Sequence, residues 1–388
     1  MIPYRLSLPV LVTALLAHPA VGASAQTPTP QPAASGQPAA GQINFSGVLY
    51  TNFQYRTDPA ARHFNKFDVE RAYLTFRMPA GERASVRVTA DVFQQTASPN
   101  DAYYRGWAVR LKYGYLQYDY LRRGDAGALA RIGMLHTVVI DHEEQFWPRW
   151  IAQTVLDRTG VFSSADLGAA TQITLPGKIG EVYATITNGA GYTARETDRF
   201  KDYAVRLSIT PLAGSGVTLL RTLALSPWVS RGATASRFAA GGPGQLGPVG
   251  DGLRKDRWGV FAGVRDPRFT AGVHFASRIE EGENGDNTIS SPRVVTDSTG
   301  RVLSAYALLK PGAFADTAGT LPLGLVLRWD RVDVNRSVGS RYHFLVAGVT
   351  WDLNRRVSLA LDYQEQLPDR GSSIAPLKTY FAHFVAAF

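Results

Sequence analysis

Arginine carries most of the chemistry this sequence could do. The chain of 388 residues holds 41 Lys+Arg against 32 Asp+Glu, a formal net charge of +9. A guanidinium presents a planar fork that grips phosphate or carboxylate oxygens bidentately. The basic residues recur singly, on one parity of alternating segments: Arg71, Arg77, Arg87, Arg110, Lys112, Arg131, Arg206, Arg265, Arg278 and Arg328. Acids on that parity are fewer: Asp91, Glu181, Asp330 and Asp362. One irregular stretch, 136–168, adds Arg149 and Arg158 beside Asp141, Glu143, Glu144 and Asp157. Such a set attracts anions and raises their local concentration.

Other chemistries find little support. There is no Cys, which excludes a disulfide scaffold, thiolate zinc, iron–sulfur clusters and thiol catalysis. Gly242 to Gly247 matches G-x-G-x-x-G, but it contains Pro243, follows no clear strand and opens no helix, so it reads as a loop tip. His136 and His142 stand near Asp141, Glu143 and Glu144, yet DHEEQ (141–145) is not the H-E-x-x-H of zinc enzymes. Carboxylates there could at most take calcium. Ser163, Ser164 and Asp166 lack a G-x-S-x-G elbow. No catalytic residue, metal set or cofactor is assigned. The positive charge is spread over strands, which favours a lined channel over nucleic acid as its use.

The elements that must position these residues alternate with period two. In 84–92, Ala84, Val86, Val88, Ala90 and Val92 face one way, and Ser85, Arg87, Thr89 and Asp91 the other. The pattern recurs at 203–209, 269–279, 323–330 and 357–364. A soluble sandwich or a transmembrane barrel would both produce it. Three features favour the barrel. Strands of about 9–12 residues suit a tilted bilayer crossing. Aromatic residues gather where interfacial girdles would lie: Tyr50, Phe53, Tyr55, Tyr113, Tyr115, Tyr118, Tyr120, Trp351 and Tyr380. Tyr380, Ala382, Phe384, Ala386 and Phe388 alternate to the last residue. The fold class expected is all-β, a transmembrane antiparallel barrel of about 16 strands.

Turn chemistry separates the strands. Short turns are expected at 80–82, 176–178, 213–216 and 354–355, and longer polar loops at 57–66, 94–105, 231–255, 280–301 and 368–376. Residues 1–25 read as a secretory signal peptide: Arg5 is the basic head, Leu6 to Ala17 the apolar run, and Ala23-Ser24-Ala25 the cleavage site. Removing them lowers the charge from +9 by the one unit of Arg5. Residues 26–42 are a Pro/Ala-rich lead-in, and 43–388 form the barrel.

The stretch 136–168 is too long for an ordinary turn. Phe146, Trp147, Trp150 and Phe162 make it a packed loop, inside the barrel or on its outer surface.

From Phe67 onward the sequence resembles the phosphate-selective porins of the O and P type. The resemblance rests on FDVERAYLTFR (67–77), Arg131-Ile132-Gly133-Met134, FWPRW (146–150), DRTGVFSSADLG (157–168), Thr187-Asn188-Gly189 and KDYAVRLSITPL (201–212), in that order. It implies a 16-stranded homotrimer of the bacterial outer membrane, in contact with outer-membrane lipid and lipopolysaccharide. It also implies a loop folded into the lumen and passive diffusion of small anionic solutes. One departure stands out. Phosphate-specific members have a lysine-rich constriction, and 136–168 contains no Lys.

The expectation is therefore a non-enzymatic, anion-preferring pore that passes phosphate or other oxyanions. Its alternatives are a general-diffusion or organic-solute channel on the same fold, and an outer-membrane enzyme or adhesive barrel. The inward arginines could also simply pair with inward acids and stiffen the wall.

Overall fold

Period-two alternation becomes sixteen strands. The computed structural model describes residues 42–95, 106–250, 252–266, 268–310 and 322–388. The strands are β1 (Asn44–Arg56), β2 (Asn65–Pro79), β3 (Ala84–Gln94), β4 (Trp107–Arg123), β5 (Ala126–His136), β6 (Ala165–Thr174), β7 (Gly180–Thr187) and β8 (Asp202–Ile209). They continue with β9 (Ala224–Ala235), β10 (Gly252–Arg265), β11 (Phe269–Asn284), β12 (Val294–Leu309), β13 (Leu323–Asp333), β14 (Arg341–Asp352), β15 (Val357–Pro368) and β16 (Leu377–Ala387). Each pairs antiparallel with its sequence neighbours, and β1 closes on β16 with Val48 opposite Ala387 and Arg56 opposite Thr379. Closure removes the free edges that an open sheet would expose. The leader and the lead-in to residue 41 lie outside the described residues.

Connections alternate between two ends. Tight turns at 80–83, 124–125, 175–179 and 353–356 share the end where β1 begins and β16 finishes. The opposite end carries 57–64, 137–164, 188–201, 236–250, 285–293, 334–340 and 369–376. Two expected loops shrink. The β11–β12 hairpin runs to Asn284 and resumes at Val294, and the β9–β10 loop loses both its flanks to strand. Polar residues on both faces of a ladder beyond the apolar belt look like loop in sequence, yet they pair just as well.

The outward face is apolar. Val109, Ile132, Leu167, Tyr203, Val273, Leu327, Leu361 and Phe384 all stand exposed there. Trp351 and Tyr380 belong to it, as do Tyr118 and Tyr120. Tyr50, Tyr113 and Tyr115 do not: they are buried inside the barrel, 8 %, 3 % and 8 % exposed. A β-bulge is the reason in β4. Thr89 pairs Tyr113 while Ala90 pairs Leu111, so Lys112 is an extra residue and the parity switches around it. Tyr50 packs edge-on against Tyr73 of β2 on the lumen side.

The packed core lies in the lumen and is built by segment 137–164. It carries two single-turn helices, α1 (Ile140–Glu143) and α2 (Val155–Arg158). Val138, Val139, Ile140, Trp147, Ile151, Val155 and Leu156 are 0–2 % exposed. Trp147 meets Tyr306 of β12, Phe146 meets Phe261 of β10, and Phe162 meets Trp228 of β9. His136 and Ala165–Gly168 turn out to be strand, so the loop is shorter than its 136–168 expectation.

Candidate functional site

The loop crosses the lumen and is fastened to the far wall by polar contacts. Backbone carbonyls of the loop act as acceptors. Val138 O accepts from Arg206, Gln153 O from Arg328 Nη1 at 2.6 Å, and Ile151 O from Gln364 Nε2 at 2.9 Å. Loop side chains supply the rest. Arg158 lies 3.0 Å from Asp330 and donates to Tyr342 at 3.1 Å, its guanidinium 3.8 Å above the Phe344 ring. Asp330, fully buried, also accepts from Arg328 at 2.7 Å and Ser304 at 2.6 Å. Two arginines and a serine thus satisfy one buried carboxylate, the condition under which a buried charge is tolerated.

Glu143 is the second anchor. Its carboxylate sits 2.7 Å from His274 Nδ1 of β11, and both residues are nearly inaccessible. The Trp228 indole N–H donates to His274 Nε2 at 3.0 Å. Indole nitrogen can only donate, so Nε2 accepts and Nδ1 carries the proton given to Glu143. His142, alongside, bonds Ser226 at 2.9 Å, and burial among cations holds its pKa well below the usual range, keeping it neutral.

Because the loop leans on β8–β16, open space remains between it and β1–β4. A cavity of about 340 Å³ lies there. The wall side presents Tyr50, Tyr73, Thr75, Arg87, Thr89, Lys112 and Tyr113; the loop side presents Asp141, Glu144 and Arg149. The strand bulge at Lys112 is what lets that ammonium and the adjacent Tyr113 share this surface.

The bases expected in the lumen divide into two groups. Arg71 and Arg110 share Asp91 at 3.5 and 2.9 Å, Arg206 pairs Glu181, Arg328 pairs Asp330, and Arg278 pairs Glu280 at 3.2 Å. These stiffen the wall or hold the loop. Arg77, Arg87, Lys112 and Arg131 have no carboxylate within 4.0 Å among the described residues. Instead Arg87 bonds Thr89 and His136, both at 3.1 Å, and lies 4.5 Å from the Tyr113 ring centre. Lys112 donates to Tyr73 OH at 3.1 Å, and Arg131 to Gln117 at 3.0 Å. Arg77 faces Arg87 directly across the β2–β3 ladder. Arg265 stands exposed near the tight-turn end of β10.

The loop charges divide likewise. Glu143 and Arg158 point at the far wall and anchor, so neither lines the constriction. Burial pushes the Asp141 carboxyl up, but His136, Arg87 and Lys112 outweigh it and hold it well below the usual carboxylate range. Asp141 lies 3.1 Å from His136 and accepts from Tyr113 OH at 3.4 Å. Glu144 sits 3.2 Å from Arg149. Burial raises its pKa to about 7 even though Arg149 and Lys112 pull it down. Arg149 is the hub of the loop, 3.6 Å from Asp157 and 3.8 Å from Glu70 of β2. Glu70 is skipped where the β1–β2 register shifts, a second bulge that sequence alternation could not show. Glu70, His274 and Glu280 are among the ionisable site residues the sequence reading missed. Among the described residues, no three His, Asp or Glu groups stand close enough to hold a metal.

This arrangement sets cations and carboxylates across a cavity, where ions can bind. The cavity has bases on its wall side and, on the loop side, Asp141 and Glu144 beside Arg149. No protein-family model matches the sequence, and no curated protein matches it either. Solved structures do. Salmonella typhi OmpF, in complex with daunomycin, aligns at TM-score 0.57 and 11 % identity, covering 89 % of this chain and 97 % of that one. An anion-selective porin from Comamonas acidovorans aligns at 0.57 and 11 %, covering 89 % and 99 %. The trimer form of OmpT, an outer membrane protein of Vibrio cholerae, aligns at 0.55 and 11 %, covering 90 % and 100 %. The likeness reaches the porin type of barrel and does not single out the phosphate-selective family. What this chain shares with those proteins is the fold, a closed antiparallel barrel of sixteen strands.

Proposed function

We propose that the chain is a passive diffusion channel of the bacterial outer membrane, preferring small anions, with phosphate and other oxyanions among its solutes. The observation that carries this reading is the set Arg77, Arg87, Lys112 and Arg131. Arg87 and Lys112 line the cavity, and none of the four has a carboxylate within 4.0 Å among the described residues. Basic rings in a narrow, low-dielectric passage favour anions. Guanidinium forks suit oxyanions, while a loop without Lys argues against a dedicated phosphate trap. The exported chain loses residues 1–25 near Ala25 and assembles as a homotrimer, as the trimer form of a similar barrel supports.

Planar-bilayer recording in a KCl gradient tests the reading. The reversal potential should report chloride preference; potassium preference removes the anion claim. A second reading has its own support. Asp141 and Glu144 face the bases across the cavity, which would admit zwitterionic or cationic organic solutes. Phosphate that blocks chloride current favours the first reading, and indifference to phosphate favours the second. Native electrophoresis of the detergent-extracted protein tests the trimer.

A further inference from the structure

The wall of the cavity beside the loop changes chemistry from one strand to the next. On β16 and β1 it is apolar, lined by Ala387, Val48 and Tyr50. On β3 and β4 it is cationic, lined by Arg87 and Lys112. Tyr73 of β2 stands between the two, edge-on to Tyr50 with ring centres 5.9 Å apart and 4.2 Å from the Lys112 ammonium. At about 4.8 Å per strand, β1 and β3 lie about 10 Å apart, so the change happens within the length of a small organic molecule and its contacts. Both cations are buried side chains, Arg87 9 % and Lys112 3 % exposed.

Neither cation spends all its donors on the protein. An ammonium has three N–H donors and a guanidinium five. Lys112 uses one, on Tyr73 OH at 3.1 Å. Arg87 uses Nε on Thr89 and Nη1 on His136, so its Nη2 has no hydrogen-bond partner among the described residues. The facing acids have contacts of their own, Asp141 with His136 at 3.1 Å and Glu144 with Arg149 at 3.2 Å. A small inorganic anion would meet the donors and leave the Val48–Tyr50 side uncovered. A neutral apolar solute would cover that side and leave buried donors unpaired. A volume of about 340 Å³ is near the lower end of small-molecule sites, roughly 300 Å³, which suits one ring and not a long acyl chain. Resting on the diffusion-channel reading above, we infer that this cavity is a saturable site for a single-ring aromatic carboxylate. The carboxylate accepts from Lys112 Nζ and Arg87 Nη2, and the ring lies against Val48 and Tyr50, where it gains aromatic contact as well as burial.

The test is equilibrium dialysis of radiolabelled benzoate against the purified, detergent-solubilised protein, with protein-free micelles as the blank. Wild type should bind one benzoate per chain, saturably. Acetate and inorganic phosphate, which lack the ring, and benzyl alcohol, which lacks the charge, should each displace it at least tenfold less well. Lys112→Gln should weaken benzoate binding at least tenfold. Tyr50→Ala should weaken it at least fivefold without weakening acetate. The competitor series runs on wild type alone, so the inference stays open to refutation even where a substitution blocks folding. Three results would overturn it: no saturable benzoate binding, any of the three competitors matching benzoate, or unchanged benzoate binding by folded Lys112→Gln. Chloride current is recorded on the same preparation with and without benzoate. Current that flows where benzoate neither binds nor blocks would remove the site and leave the channel. Benzoate bound by a protein that passes no current would refute the channel and leave the site.

Discussion

Lys112→Gln isolates the proposed selectivity. Lys112 lines the cavity, donates to Tyr73, and has no carboxylate partner among the described residues. Glutamine keeps a donor and roughly the length while deleting one charge. A unit charge about 4 Å from a passing ion is worth about 1 kcal/mol at the dielectric of water. Screening over a Debye length of about 8 Å reduces that to about 0.6 kcal/mol. The anion loses this and the cation gains it, so the permeability ratio moves by about 1.2 kcal/mol, roughly eightfold. In a tenfold KCl gradient, a fall from about eightfold chloride preference to none shifts the reversal potential by about 40 mV. Arg336→Gln, a charge outside the lumen, is the control and should not move it. A lumen lined by several bases will share the effect, so a shift of half this size still supports the argument. Unchanged reversal in an open, conducting Lys112→Gln channel would refute it.

Three other outcomes follow from the geometry. His274→Ala leaves the buried Glu143 carboxylate without its donor, a loss of about 3–5 kcal/mol from the loop's docking; trypsin should then cut at Arg149 or Arg158, which resist in wild type, and equal resistance would show the anchor is dispensable. Glu144, an acid whose folded pKa is raised from 4.5 to about 7, contributes stability that is full below about 4.5 and lost as pH rises through about 7; its negative charge also appears in that window, so chloride preference should decline between pH 6 and 8 and become flat in Glu144→Gln. Gly133→Ala should impair barrel formation, because Gly133 has φ of 128° and an added Cβ would lie 2.2 Å from Gly114 O across the β4–β5 ladder; heat-modifiable mobility on gels reads this, and wild-type folding would disprove the close approach.

The wall was legible because the constraint on it is simple. An apolar surround and a polar interior impose alternation, and β3 obeys it residue by residue, as do the first halves of β13 and β15. It failed where a bulge adds a residue. In β4 the sequence WAVRLKYGYLQ places Arg110, Lys112, Tyr113 and Tyr115 on the lumen side, which no single parity can do. The inward course of 137–164 was suggested by Phe146, Trp147, Trp150 and Phe162 together with family resemblance, and those rings do meet the far wall. The partners of its charges were not readable. Glu143 with His274 and Arg158 with Asp330 join residues more than a hundred positions apart, and only barrel closure brings them together.

That closure also explains why arginine count was a poor guide to function on its own. The same side chain does two opposite things here, and the neighbour decides which. Arg328 and Arg206 each meet an acid on their own wall and a loop carbonyl, so their charge is spent holding the constriction in place. Arg87 and Lys112 meet hydroxyls, rings and an imidazole at contact distance, so their charge faces the cavity and acts across it on Asp141 and Glu144. A channel needs both kinds. Without the paired set, a loop carrying Asp141, Glu143 and Glu144 would have no reason to stay inside a basic lumen in one geometry. Without the unpaired set, the cavity would face Asp141 and Glu144 of the loop with no base from β2–β5. The loop is fastened to β8–β16 through Glu143 and Arg158 and the free bases sit on β2–β5, so the field across the gap is fixed by the fold and does not depend on the solute.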